Sequence, residues 1–292
     1  MIEFKPLTTE HIPLLIAYLR EHPRENCDYS ISNLMTWGKI YTDMYAIWKD
    51  RLVIINPKYQ YVCYPVGQEL RPMELRDMIS DCQEQYPEAQ LILIPEQYTI
   101  KHPELSEYFT LSEQDGWADY IYSAERMVNL SGKKLAKKKN LISQFNRAYP
   151  GHKVLEMNAG HCAEVISFAA KWKRERALEG IYLNTELKAL QYSMEMWDEI
   201  PSQGIIICHQ HTISAFSIFS PQTADMATVH FEKYDPDMKG SAQYINYETS
   251  RHLMNDYKWI NRESDMDLDG LRQAKRSYLP DYMAKFIAGI PK

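Results

Sequence analysis

The sequence predicts an α/β fold of mixed sheets laid out in two halves. Three observations predict it. Short runs rich in β-branched residues, such as LVIIN, LILIP and IIIC, alternate with longer segments whose apolar residues recur at helical spacing. Each half runs through helices, a hairpin, a strand, a helix and a closing strand, a repeat of topology rather than of residue identity. No low-complexity linker separates the halves, so they are expected to pack closely, with a boundary near Ser123 to Asn129 and domains at 1–125 and 126–292.

In the first half, Thr8 to Glu21 reads as a helix, with Thr9 as its cap and Ile12, Leu15, Ile16 and Leu19 on one face. Ser30 to Trp37 reads as a second, short helix. MYAIW, a turn at Lys49-Asp50-Arg51 and LVIIN form a hairpin, and Tyr59 to Val66 alternates like a further strand. Pro72 opens a helix that runs to about Tyr86, because a proline in the first turn loses no hydrogen bond. LILIP is a short buried strand, and ADYIY (118–122) another.

In the second half, Leu130 to Tyr149 reads as a helix capped by Ser131 and ended by Pro150-Gly151. Helices are expected at His161–Arg176 and Thr185–Glu199. IIIC, the turn His209-Gln210-His211 and ISAFSIF make a second hairpin. Ala227–Tyr234 is a strand, Ser241–Tyr257 a helix, Trp259–Arg262 a strand and Leu268–Tyr278 a helix, with AKFIAGI as a last short strand.

Composition sets the class. The 292 residues are 45% hydrophobic and 25% charged, the mix of a globular protein with a sizeable core. Lys+Arg 33 against Asp+Glu 39 gives a net charge of -6, so bulk charge does not mark a nucleic-acid binder, although a local basic patch exists. Cys27, Cys63, Cys82, Cys162 and Cys208 are odd in number and never spaced as CxxC, which argues against a disulfide framework or structural zinc. The start, MIEFKPLTTEHIPLL, lacks a basic region followed by a long apolar run, and no segment approaches the ~20 apolar residues of a span. The expectation is a reducing, cytoplasmic compartment. With eleven glycines in the chain, a glycine-rich dinucleotide fold is not expected either.

Chemistry-bearing residues concentrate between Thr228 and Pro280, where strands end and helices begin, the place where open α/β sheets hold ligands. Lys239-Gly240-Ser241 follows a strand and starts a helix. It reads either as an anion site built on free N–H groups with Lys239 adding charge, or as an ordinary junction capped by Ser241. Glu263, Asp265 and Asp267 end a strand, and Arg272 and Lys275 follow on the next helix; the set reads as a holder for an amine and a carboxylate or phosphate, or equally as a structural salt-bridge network. Lys133, Lys134, Lys137 and Lys138, with Asn140 beside them, form a cationic rim that Lys171, Lys173, Arg174 and Arg176 extend. The rim reads as a site for tRNA, a nucleotide or lipid headgroups, or as a solvated helix face. Glu232 is either a general base, with Tyr278 as the matching acid, or an outward charge on an alternating strand. His209 and His211 have no third ligand nearby, so no metal is expected.

GKKLAKKKNLISQF, VHFEKYDPDMKGSAQYINYE and INRESDMDLDGLRQAKRSYLP together resemble the DUF2156 family, which is similar to the C-terminal domain of phosphatidylglycerol lysyltransferases. The resemblance covers most of the chain and is strongest from Trp117 onward. It implies two GNAT-like acyltransferase domains in tandem, as in Fem-type aminoacyl transferases, which move an aminoacyl group from charged tRNA to a lipid or peptidoglycan amine or hydroxyl. It also implies that the second domain holds the site, at Val229–Tyr234, Gly240 and Glu263–Lys275, and that the first is scaffold. The acyl-CoA loop [RQ]xxGx[GA] of ordinary GNAT enzymes has only a partial echo at 237–242, and the membrane domain of the lysyltransferases has no counterpart.

The expected function is aminoacyl-tRNA-dependent transfer to an amine or hydroxyl, without a certain cofactor. Glu263, Asp265 and Asp267 would orient the donor's amino group; Lys239, the Gly240 backbone, Arg272 and Lys275 would hold phosphate or carboxylate; the lysine rim would track tRNA. The alternatives are an acyl-CoA-dependent N-acyltransferase, or a non-catalytic module that binds a small anionic metabolite or a protein partner.

Overall fold

The computed structural model describes residues 2–175 and 181–292. The first half comprises β1 (Lys5–Pro6), α1 (Ile12–Glu21), α2 (Ile31–Tyr41), β2 (Met44–Trp48), β3 (Arg51–Asn56), β4 (Tyr61–Cys63), α3 (Pro72–Gln83), β5 (Gln90–Pro95), α4 (Glu96–Lys101), α5 (Leu105–Tyr108), β6 (Phe109–Glu113) and β7 (Asp119–Ser123). The second comprises α6 (Ala124–Asn129), α7 (Ala136–Ala148), β8 (Lys153–Glu156), α8 (Cys162–Glu175), α9 (Ile181–Glu195), β9 (Gln203–His209), β10 (Thr212–Pro221), β11 (Met226–Tyr234), α10 (Ser241–Leu253), β12 (Trp259–Asn261), α11 (Asp269–Arg276), β13 (Tyr282–Ala284) and β14 (Phe286–Pro291).

These strands form two seven-stranded mixed sheets, ordered β1-β2-β3-β4-β5-β14-β6 and β8-β9-β10-β11-β12-β7-β13. The orders correspond position by position. In each sheet the fourth and fifth strands run parallel, joined over a helix (α3 or α10). At the sixth position the halves exchange strands: β14 from the chain's end enters the first sheet, and β7 enters the second. A cut at residue 125 therefore does not separate the sheets, because β7 lies before it and pairs with β12 and β13.

Period-two alternation divides the second sheet's faces. Ile205, Ile207, Ala215 and Phe219 pack against Phe145 of α7 and Tyr244 and Ile245 of α10. Ile206, Phe216 and Ile218 face Val165 and Ala169 of α8 and Leu190 and Met194 of α9. Phe145 is fully buried and stacks on Tyr244 with ring centroids 4.6 Å apart, so truncating it to alanine should cost about 3–5 kcal/mol. Another cluster joins Leu15, Leu34, Ile54 and Leu93 of the first half to Ile121, Met196, Met226 and Phe286. The halves thus share a core. No helix among the described residues is long and apolar enough to cross a membrane.

Several expected bounds shift. Tyr59–Val66 shrinks to Tyr61–Cys63 plus an isolated bridge from Val66 to Leu52, because Pro65 has no N–H to continue a ladder. The helix expected from Leu130 begins at Ala136: Leu130 (φ 44°) and Gly132 (φ 94°) are left-handed, and Ser123 caps the short preceding helix instead of Ser131. The expected Ser241–Tyr257 helix ends at Leu253. Arg176 lies outside the described residues.

Candidate active site

β11 and β12 pair only from Met226–Thr228 to Trp259–Asn261. Beyond that point the ladder stops, and Val229, His230, Glu232, Lys233 and Tyr234 on one side and Arg262, Glu263 and Ser264 on the other line a cleft of about 680 Å³. The matching parallel pair of the first half, β4 and β5, gives Tyr61, Cys63, Ile92 and Leu93 to the same cleft. Ala242, Gln243 and Asn246 of α10 close one end. The start of α10 is seated by Gly240, whose φ of 89° and closeness to α7 admit no side chain: a Cβ there would lie 2.3 Å from the Leu141 carbonyl oxygen. Ser241 Oγ donates to the Asp235 carbonyl at 2.6 Å, which leaves that hydroxyl committed to the turn.

Where the ladder ends, side chains bridge the gap. Arg262 Nη2 donates to Glu232 Oε1 at 2.7 Å, and Asn246, with its amide oxygen turned toward the guanidinium, accepts from Arg262 Nη2 at 3.0 Å. Burial disfavours the guanidinium charge, but Glu232 outweighs it and the pKa of Arg262 is raised. Lys275 Nζ donates to the backbone carbonyls of Arg262 and Glu263. Burial lowers its pKa to about 8. Lys138 lies over the Tyr278 ring, 3.6 Å from its centroid, and donates to Ser277 Oγ at 2.8 Å; burial, Arg262 and Lys137 lower its pKa to about 8 as well. Burial pushes the Tyr278 hydroxyl well above its ordinary range.

Glu263 stands at the base of this wall in a left-handed conformation (φ 59°) that a non-glycine residue adopts only under constraint. The constraints are visible. Asn261 Oδ1 accepts its N–H at 2.6 Å, and its carboxylate Oε1 accepts from His230 Nδ1 at 2.9 Å and from Asn33 Nδ2 at 3.0 Å. His230 is held in turn by Ser220 Oγ at 2.8 Å from Nε2. A serine–histidine–glutamate order is the arrangement of a nucleophile triad. Here the serine lies behind the histidine, 1% exposed and away from the cleft, and the glutamate faces the cavity, so Ser220 is no nucleophile.

The first half supplies the opposite wall. Burial raises the carboxyls of Asp28 and Asp43 to about 7; at Asp28 the charges of Asp119 and Glu263 add to it, and at Asp43 a hydrogen bond from Asn56 works against it. Beside them runs a row of rings, Trp37, Tyr41, Tyr59, Tyr61 and Trp117, with successive centroids 6.3, 6.2, 5.8 and 6.1 Å apart. One wall is therefore acidic and aromatic, and the facing wall carries Arg262, Lys275, Lys138 and Lys233. Lys233 is paired with Glu186 at 2.8 Å. No cluster able to hold a metal ion occurs among the described residues.

Of the residues singled out in the sequence, Glu232, Glu263, Lys275, Tyr278 and Lys138 meet in the cleft. Asp265, Asp267 and Arg272 do not. Asp265 is buried, accepts from Tyr120 Oη at 2.6 Å and takes a two-pronged contact from Arg272 at 2.8 and 3.0 Å, while Arg272 also reaches Asp267 at 2.6 Å. They staple the loop that carries Glu263 rather than lining the cavity. Lys239 is exposed, and Gly240 and Ser241 are buried at the helix start outside the cavity lining. Lys133, Lys134, Lys137 and Asn140 are exposed on the surface that leads to Lys138. His230, Arg262, Asn246 and the whole first-half wall are functional residues beyond those the sequence singles out. Arg262 lies inside the charged run Asn261–Asp265, but nothing local marks Asn33, whose partner Glu263 is 230 residues away.

Residues 19–289 match the family described as phosphatidylglycerol lysyltransferase, C-terminal. The chain belongs to that family. A conserved protein of unknown function from Bacteroides thetaiotaomicron is 29% identical over 99% of this chain and 100% of its own, with a TM-score of 0.90. The C-terminal domain (DUF2156) of a putative lysylphosphatidylglycerol synthetase from Agrobacterium fabrum superposes with a TM-score of 0.67 at 13% identity, over 96% of this chain and 91% of its own. FemX gives a TM-score of 0.65 at 8% identity over 99% and 97%. An uncharacterised protein of Mycoplasmoides gallisepticum is 22% identical over 78% of this chain and 74% of its own. The two mixed sheets of this family member are the fold of FemX and of the DUF2156 domain, and the family points to an acyltransferase of the phosphatidylglycerol lysyltransferase type.

Proposed function

We propose that the protein transfers an aminoacyl group, delivered as the ester of a charged tRNA, to an amine or hydroxyl acceptor. The observation that carries this reading is the contrast across one cleft: Asp28, Asp43 and a row of rings on the first-half wall, and on the second-half wall the cations Lys138, Lys233, Arg262 and Lys275 set among Glu186, Glu232 and Glu263. An aminoacyl ester has the matching polarity: a cationic amino group at one end and phosphates beyond the ribose at the other. Asp28 and Asp43 receive the amino group, with the ring row offering cation–π contact. Lys138 and Lys275 face the donor's phosphate or the oxygen that becomes negative during transfer. Glu232 keeps Arg262 extended across the gap, and the exposed Lys133, Lys134 and Lys137, with Asn140 beside them, track the tRNA toward the opening. A cavity of this size encloses an aminoacyl group but not a folded RNA, so the tRNA body stays outside. Acceleration comes from positioning and from charges fixed before the reaction starts.

The test is direct. Total tRNA charged with radiolabelled amino acids is incubated with the protein and with phosphatidylglycerol vesicles or soluble amines as acceptors. Label moving to either acceptor, together with a raised melting temperature in charged but not uncharged tRNA, is the expected result. No transfer and no charged-tRNA protection, with a shift produced by a small metabolite alone, would replace this reading with that of a binding module.

A further inference from the structure

We infer that Glu263 is the carboxylate that takes the proton from the attacking acceptor, with His230 as the residue that positions it; this rests on the transfer reading above. Four observations converge. Glu263 holds a left-handed backbone conformation, and the surroundings over-determine it through Asn261 and Lys275. One carboxylate oxygen, Oε1, is occupied by two donors, His230 Nδ1 and Asn33 Nδ2, one from each half of the molecule. Among the described residues no hydrogen bond reaches Oε2, and the residue lines the cleft. Glu232 and Glu186, the other second-half carboxylates in the cleft, are engaged with Arg262 and Lys233 and are not free to move a proton.

The network also fixes the histidine. With Nδ1–H donating to Glu263, the Nε2 lone pair accepts from Ser220 Oγ, so a neutral imidazole satisfies both contacts and the side chain, 1% exposed, needs no charge. His230 therefore orients the carboxylate. In the step itself, the acceptor's nitrogen or oxygen lone pair forms a bond to the ester carbonyl carbon as its proton passes to Glu263 Oε2. The tetrahedral intermediate then breaks the carbon–oxygen bond to the donor ribose, and the departing oxygen takes that proton, returning Glu263 to its carboxylate. Atoms and charge balance without another reagent.

Groups that bear on the Glu263 carboxylate come from every neighbouring element: His230 from β11, Arg262 next to it in the chain, Lys275 from α11, Asp119 from β7, and Cys27 and Asp28 from the first half. A pH profile alone would mix these, so the decisive experiment is chemical rescue. Transfer from radiolabelled charged tRNA to phosphatidylglycerol vesicles or a soluble amine is measured for the wild type, Glu263→Gln and Glu263→Gly. Glutamine keeps the acceptor for His230 and Asn33, and glycine tolerates the positive φ, so each preserves the fold by a different route. The expected result is a fall in kcat of about 10²–10⁴-fold in both, with the donor KM within a few-fold, and recovery of the glycine variant alone by added formate. His230→Ala should lower kcat by about tenfold to a hundredfold and His230→Asn, whose amide can replace Nδ1–H, should recover most of it. Undiminished kcat in Glu263→Gln, or a glycine variant that formate does not restore, overturns the assignment while the transfer reading stands. A wild type that transfers nothing overturns both.

Discussion

Glu232 Oε1 and Arg262 Nη2 meet at 2.7 Å across the point where β11 and β12 stop pairing. The side chains replace a backbone ladder that the diverging strands have lost, and the cleft exists because they hold its root closed. Both are mostly screened from water, with side-chain exposures of 14% and 18%. Removing one member of such a pair leaves its partner's charge uncompensated, which costs more than the pair itself is worth.

Glu232→Gln should therefore destabilise the fold by about 3 kcal/mol, and Glu232→Leu combined with Arg262→Met should recover much of that loss while donor binding stays abolished. Urea unfolding of the three proteins, read beside charged-tRNA protection, checks the separation. Equal stability of wild type and Glu232→Gln would mean that water already screens the pair.

Arg272 and Lys275 lie three residues apart on α11, and the structure assigns them different tasks. Arg272 staples Asp265 and Asp267, whereas Lys275 faces the cavity. Lys275→Ala should weaken binding of charged tRNA by tenfold or more. Arg272→Ala should lower the urea midpoint and change the affinity of the folded protein less than twofold. Fluorescence titration with charged tRNA distinguishes them, and a large loss of affinity in a well-folded Arg272→Ala would return that side chain to the site.

The contrast between these two residues shows what the sequence can carry. Alternation and helical spacing made the strand and helix order readable, because burial imposes its period within one element. Tyr120, whose hydroxyl donates to Arg272's partner Asp265, is 145 residues from it, so no local pattern could tell a staple from a binding pair. The strand exchange was equally hidden: β14 and β7 are apolar in either sheet, and only the tertiary fold decides which ladder each joins. The first-half wall carries no local signal because Asp28, Asn33 and Asp43, within sixteen residues around α2, gain their meaning from partners such as Glu263 that only the packing of the halves brings to them.

Asp28 and Asp43 give the stability a pH signature. Their folded pKa values, about 7, lie above the usual aspartate value of 3.8, so the folded state binds more protons between about pH 4 and pH 7. Stability contributed by these protonated groups is present below about pH 4 and lost as pH rises through 7. Asp43→Asn should thus flatten the decline of the wild type over that window and raise stability at pH 7. Affinity for a cationic group should move oppositely, rising as the carboxyls ionise. Melting curves at half-unit pH steps test the first point; an identical pH dependence in wild type and Asp43→Asn would show that the carboxyl is not raised.

Gly240 allows a prediction that separates scaffold from chemistry. Alanine there suffers the positive φ and sets a Cβ 2.3 Å from the Leu141 carbonyl oxygen, so α10 must move away from α7. The expected loss is about 3 kcal/mol, more than backbone strain alone. Because α10 carries Asn246 onto Arg262, donor affinity should fall with it. Circular dichroism melting beside charged-tRNA binding checks both, and an unperturbed Gly240→Ala would mean that α7 and α10 are packed more loosely than the backbone contact indicates.

The lysines before and within the first turns of α7 bear on how an acidic protein could hold RNA. With a net charge of -6, long-range attraction to a polyanion has to come from a local patch. Lys133, Lys134 and Lys137 are exposed, whereas Lys138 turns inward over Tyr278. If the first three follow the tRNA backbone, each neutralised phosphate steepens the fall of log affinity with log salt by about 0.7–0.9. Changing all three to glutamate should weaken binding about tenfold to a hundredfold at low salt and make the slope shallower by about two, while the melting temperature barely moves, since exposed charges contribute little to stability. Lys138→Gln should lower transfer with almost no change of slope, because its ammonium already rests on a ring and a hydroxyl. Titrations at a series of salt concentrations decide the matter: a slope unchanged by the triple substitution would put the RNA path on another face.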